Sequence, residues 1–107
     1  MELNEYQRLA MRTARDIASD ERLMNAVLGL AGEAGEVAEL LKKQRYHGHP
    51  LDTTKLIDEL GDLLWYVALA ADTAGVPLAE VAERNVAKLR RRYPAGFSEQ
   101  ASRERAE

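Results

Sequence analysis

Apolar residues recur along the chain at the three- and four-residue spacing of an α-helix, in four blocks separated by clusters of Gly, Pro, Ser and Asp. The first block, residues 3 to about 18, sets Leu3, Tyr6, Leu9, Ala10, Thr13, Ala14 and Ile17 on one face. Ser19 and Asp20 mark a break and an N-cap, because their side-chain oxygens can take up the free backbone N–H groups of a helix start. A second helix follows over about 21 to 45, with Leu23, Ala26, Leu30, Val37, Leu40 and Leu41 as its buried stripe. Lys42, Lys43 and Arg45 crowd its C-terminal end, where the helix dipole favours cations. Tyr46-His47-Gly48-His49-Pro50 is a turn, since Pro50 pushes residue 49 out of helical geometry. Asp52 or Thr53 caps a third helix over about 53 to 74, whose stripe is Leu56, Leu60, Leu63, Leu64, Val67 and Ala71, and Gly75 sits where helices commonly stop. Val76-Pro77 opens a fourth helix that runs to about Arg92 on an apolar face of Leu78, Val81, Ala82, Val86 and Leu89. No stretch alternates with period two, so the pattern predicts an all-α fold. Residues 1–97 form a single helical domain, and residues 98–107, without a large apolar side chain, are expected to be a disordered tail.

Two polar interruptions of this pattern echo each other. Glu33-Ala34-Gly35-Glu36 and Glu59-Leu60-Gly61-Asp62 both read acid-x-Gly-acid, and at roughly 100° per residue each i, i+3 pair of carboxylates shares one helix face. Glu33 falls within its apolar stripe, Glu36 at its edge, and Glu59 and Asp62 flank the second stripe, with Tyr66 one turn from Asp62. Four acids therefore point toward the place where two helices pack. Burying ionised carboxylates costs several kcal/mol each unless a positive charge sits among them, so a cation is the economical partner. Glycine inside a helix is also unfavourable, by about 1 kcal/mol relative to alanine. Gly35 and Gly61 are expected to admit another backbone on the face away from the acids.

The composition narrows the chemistry. With 107 residues the chain makes one domain, and a net charge of −3 with mixed signs argues against a nucleic-acid surface. The absence of Cys excludes disulfides, thiolate catalysis and Cys-ligated metal centres. No charged-then-apolar leader and no run of about 20 apolar residues is present, so neither membrane insertion nor export is expected and the protein is placed in the cytoplasm. Trp65, Leu64, Leu41 and Ile57 need more cover than two short flanking helices give, which predicts a homodimer or a dimer of dimers.

Four carboxylates without a nitrogen or sulfur ligand make a hard, all-oxygen site, suited to Mg²⁺ or Mn²⁺ rather than zinc. His47 and His49 lie in the turn with no Cys and no Glu-x-x-His pair, and are taken as surface residues. On the fourth helix Asn85 falls within the apolar face, with Lys88 and Arg92 on the same edge. Asn85 either caps a neighbouring helix or joins Lys88 and Arg92 in a phosphate grip, while Arg90 and Arg91 point elsewhere. Acids that hold magnesium beside such a grip compose a site for hydrolysing a phosphate ester or anhydride.

Glu33-x-x-Glu36, Glu59-x-x-Asp62 after 22 intervening residues, Asn85-x-x-Lys88-Leu89 and Arg92-Tyr93-Pro94-x-Gly96-Phe97 together resemble the MazG-like all-α nucleotide pyrophosphohydrolases. The resemblance runs from about Asn4-Glu5-Tyr6-Gln7 to Phe97. It implies a helical subunit that pairs with a second copy to complete a four-helix core. It also implies Mg²⁺-dependent hydrolysis of a nucleoside or deoxynucleoside triphosphate to the monophosphate and pyrophosphate, in clearing the nucleotide pool. Carried over by position, Glu33, Glu36, Glu59 and Asp62 match the metal ligands, Asn85 and Lys88 the phosphate contacts, and Tyr66 a position that meets the nucleotide. Glu36 is assigned as the general base, and Lys88 with Arg92 as the hold on pyrophosphate. The chain departs from the family at Gly32, where members often carry a further acid. Two other readings compete: a narrow dUTPase- or dCTPase-type hydrolase, and a non-catalytic regulatory dimer that needs neither metal nor nucleotide.

Overall fold

The computed structural model describes residues 1–105, and among them five helices and no strand: α1 (Leu3–Met11), α2 (Ser19–His47), α3 (Thr53–Thr73), α4 (Leu78–Arg92) and α5 (Glu99–Glu104). The expected all-α architecture holds. No helix among the described residues is long and apolar enough to cross a membrane.

The long pair α2 and α3 forms the frame, joined by a short turn that Gly48 makes possible. Gly48 ends α2 in the left-handed region at φ 70°, a conformation that removes the Cβ clash only for glycine. Its N–H and that of His49 both return to the Lys43 carbonyl. The Asp52 side chain then starts α3 as predicted, with Oδ1 accepting from the Lys55 N–H at 3.0 Å. Because the chain reverses here, residues meet in opposite order along the two helices. Arg22 pairs with Asp72 at 3.0 Å, Gly29 faces Tyr66, and Glu33 faces Glu59 and Asp62.

The buried core lies at the far end of α3 from this turn, where α1 and the start of α4 close over it. Ala10, Ala68, Leu69, Ala71 and Leu78 are buried there, with Tyr6, Met11, Val67 and Val76 packed around them. Pro77 gives α4 no side-chain cap, so its first N–H groups look elsewhere for acceptors. Residues of α1 supply them: Gln7 Oε1 accepts from Leu78 N–H and Asn4 Oδ1 from Ala79 N–H, each at 2.9 Å. The buried Gln7 amide also donates to the Val76 carbonyl at 3.1 Å.

Several expectations are corrected. The first helix ends at Met11 rather than near residue 18, because the Ala10 carbonyl is taken by the Thr13 hydroxyl at 2.7 Å and the Trp65 indole N–H at 3.2 Å, and Ala14 N–H bonds Met11 instead. Neither Ser19 nor Asp20 caps α2; both are helical, and Ala18 precedes the first turn without a side-chain cap. Within one chain the predicted stripes are only partly covered. Ala26 and Ala71 are buried, Leu30, Val37, Leu40, Leu56, Leu63 and Val67 half-buried, and Leu23, Leu41, Leu60 and Leu64 exposed. Gly35 and Gly61 meet nothing within 4 Å, so the close backbone approach expected there is absent from the single chain. The expected tail contains α5, which Ser98 Oγ caps by accepting from Ala101 N–H at 3.0 Å. Residues 106 and 107 of that stretch lie outside the described residues.

Candidate functional site

The acid pairs occupy the middle of the α2–α3 frame. One turn separates Glu59 from Asp62 on α3, and the reversed helix direction sets Glu33 of α2 opposite both. One carboxylate oxygen from each of Glu33, Glu59 and Asp62 lies within 4.8 Å of the others. Glu36 is exposed and stands outside this set, so the structure brings together three of the four predicted acids.

The electrostatics of the cluster concentrate on Glu33. Its Oε2 is buried with no hydrogen-bond partner. A hydrogen bond with the Glu59 carboxyl, then burial, then the charges of Asp62, Glu59 and Glu36 push the Glu33 carboxyl up to about 7. Without a cation beside it the Glu33 carboxyl is still partly protonated near neutral pH. The fit to a metal is therefore one of charge and donor type: an orphaned carboxylate oxygen among hard oxygen donors is the environment a divalent cation of the Mg²⁺ or Mn²⁺ kind satisfies.

Aromatic residues border the acids. Tyr66, one turn after Asp62, rests its ring on Gly29 of α2 and meets Trp65 edge-on at 5.0 Å and 89°. The Trp65 indole in turn donates to Ala10 O and Thr13 Oγ1, tying the pair to the end of α1. Tyr6 of α1 is a neighbour that the acid motifs did not identify: burial first, and the Asp62 carboxylate second, push its phenol above the usual range. Its only signal in sequence is a hydroxyl-bearing ring placed on the apolar face of the first helix.

The basic residues of α4 gather elsewhere. Asn85 and Lys88 line an open groove of about 490 Å³ together with Val76, Glu80, Val81, Arg84 and Arg91, and none of the clustered acids borders it. Asn85 is exposed rather than buried within the apolar face, because Val81, Val86 and Leu89 of that face are uncovered in one chain. Arg92 is half-buried and does not line the groove, whereas Arg91, expected to point away, does. Arg84 joins the set without having been singled out by spacing.

Comparisons with known proteins bear on the family of the chain. A family model described as the MazG nucleotide pyrophosphohydrolase domain matches residues 21–97, a span that holds all four acids and the α4 groove residues. The chain is similar to Gene 37 protein of Mycobacterium phage L5, 38% identical over 105 residues that cover 90% of this chain and 92% of that protein. It is also similar to human dCTP pyrophosphatase 1, 38% identical over 101 residues, which cover 87% of this chain and 58% of the human protein. No solved structure matches. With a family model spanning both acid pairs and a relative of nearly equal length at this identity, the chain belongs to the MazG nucleotide pyrophosphohydrolase family.

Proposed function

We propose that this nucleotide pyrophosphohydrolase is Mg²⁺-dependent, splits nucleoside or deoxynucleoside triphosphates into the monophosphate and pyrophosphate, and does so as a cytoplasmic homodimer or dimer of dimers that clears the nucleotide pool. The observation that carries the reading is the convergence of Glu33, Glu59 and Asp62 within 4.8 Å around a buried, unpartnered carboxylate oxygen. Glu33, Glu59 and Asp62 would hold the cation, which when bound supplies charge neutralisation at the phosphates and a more acidic water. Glu36, one turn along α2 and outside the close set, is left able to accept the proton of the attacking water. A bond forms between the water oxygen and the α-phosphorus, the bridge to the β-phosphorus breaks, and pyrophosphate leaves. Tyr66 borders the nucleotide, and Asn85 and Lys88, whose groove lies apart from the acids in one chain, take its phosphates where the proposed assembly brings that groove to the cluster, with Arg92 supporting the same helix face.

A preference for dCTP is the narrower form of this reading, and the similarity to human dCTP pyrophosphatase 1 favours it. Incubating the protein with each of the eight common NTPs and dNTPs in Mg²⁺, and separating pyrophosphate from phosphate, tests both forms. Monophosphate and pyrophosphate in equal amounts are expected, with dCTP fastest if the narrow form holds. Orthophosphate as the product, or equal turnover in EDTA, would overturn the proposal.

A further inference from the structure

Gly29 stands one helical turn before Glu33 on α2, and Tyr66 one turn after Asp62 on α3, so the two residues meet at the edge of the acid cluster. A Cβ on Gly29 would fall within the Tyr66 ring, against its Cε1, Cζ and Cδ1 atoms. At each of the other six glycines a Cβ meets nothing within 4 Å. The ring is held from a second side by Trp65, edge-on at 5.0 Å, and Trp65 is itself tied to α1 by its indole N–H at 2.9 Å from Thr13 Oγ1. The chain thus keeps two features that packing alone would not favour together: a glycine in a helix interior, where alanine is more stable, and a bulky phenol in the one place that requires it.

We infer that Gly29 is a positioning residue for substrate: by lacking a Cβ it lets the Tyr66 ring lie against α2 beside the three acids, where the ring receives the nucleoside part of the nucleotide. This rests on the proposed reading of Tyr66 as a nucleotide contact. Aromatic rings bind nucleobases by stacking whatever the base, so the recognised class is a nucleoside bearing phosphates, not phosphate alone. A side chain at position 29 displaces the ring without touching any acid.

The chain has a single tryptophan, Trp65, and its contact with Tyr66 makes its fluorescence a reporter of the seat. The test titrates the full chain, in Mg²⁺, with the non-hydrolysable α,β-imido analogues of the four deoxynucleoside triphosphates and, separately, with inorganic pyrophosphate. Wild type should show a Trp65 response to an analogue and none to pyrophosphate. Gly29→Ala should weaken binding of that analogue about tenfold, the scale of one base–aromatic stacking contact, while its affinity for pyrophosphate, read by isothermal titration calorimetry, stays at the wild-type value. In a Tyr66→Ala background, where a new Cβ has no ring to strike, adding Gly29→Ala should weaken the analogue no further. If Gly29→Ala alone does not fold, recovery of folding in the Tyr66→Ala background shows that the new Cβ strikes this ring, and a double variant that also fails to fold overturns the inference. Wild-type analogue binding by Gly29→Ala, equal loss for both probes, or a further loss in the Tyr66→Ala background would overturn the inference, as would a wild type that binds no analogue. Analogue binding with this pattern but no pyrophosphate release from the parent nucleotides would sink the hydrolase reading and leave the seat intact. Pyrophosphate release with a silent Trp65 and an indifferent Gly29→Ala would do the reverse.

Discussion

Glu33 is asked to be an anion in a place that disfavours one, and its protonation follows from its neighbours. The carboxyl is raised from 4.5 to about 7, chiefly through its hydrogen bond with Glu59. A folded-state value above the unfolded one means that the stabilising contribution is full below 4.5 and is lost as pH rises through about 7. Thermal melts in EDTA should therefore show a falling Tm across that interval. In saturating Mg²⁺ the proton is displaced, the decline should shrink, and Tm should lie above the EDTA value. Coincident EDTA and Mg²⁺ curves would remove the cluster as a cation site. Glu59→Gln takes away one anionic donor and one like charge together, so turnover should vanish while far-UV circular dichroism and Tm in EDTA do not fall. On α4, the exposure of Asn85 separates its fate from that of a buried amide. Lys88→Ala and Asn85→Ala should both stay within about 0.5 kcal/mol of wild-type stability, the usual range for surface changes. Losing the proposed Lys88 phosphate contact should lower kcat/KM about a hundredfold, or roughly 2 to 3 kcal/mol, measured at saturating Mg²⁺.

At the scale of elements, α1 acts as a polar clamp as much as an apolar one. Its Gln7 fills the roles of an N-cap for α4 and a bridge to the α3–α4 connection, with its amide spent on Leu78 N–H and the Val76 carbonyl. Gln7→Leu keeps volume and leaves both backbone groups unpaired in a buried place, at about 1 to 3 kcal/mol each. Urea unfolding should show a loss of that size summed over the two groups, against a much smaller loss for Asn4→Ala at an exposed cap. An unchanged midpoint for Gln7→Leu would mean that the clamp is apolar contact alone. Helix ends divided along the same line. Asp52 and the stop before Gly75 were legible because a side chain or a glycine beside the break decides them, whereas α2 runs on through Tyr46 and His47, which the sequence set in the turn. The end of α1 was not, because an indole 55 residues away takes the Ala10 carbonyl.

The single chain is more open than a compact domain of its length. Its radius of gyration is 16.9 Å, against about 13 Å for a compact domain of this length. The outward side of the α2–α3 frame shows why: Leu28 and Ile57 are 64% and 62% exposed, and Met24, Val27, Leu41, Leu60 and Leu64 are exposed beside them. Apolar surface of that extent is what a second copy would cover, as the proposed assembly requires. Light scattering at micromolar concentration should give a mass at least twice 12.0 kDa. A species of 12.0 kDa would overturn the assembly. Leu28→Glu should dissociate it while leaving the helix content of the separated chain largely in place.

By itself the sequence determined the four main helices, the Asp52 cap and the two acid pairs, since a 3.6-residue period and a capping side chain act within a turn or two of where they are written. Tertiary structure alone decided which of those acids converge, that Glu36 stays outside, that Gly29 instead of Gly35 or Gly61 takes a neighbour, and that Asn85 faces solvent. These outcomes depend on the register in which α2 lies against α3, and register is set by the shapes of side chains distant in the chain, which no local period records.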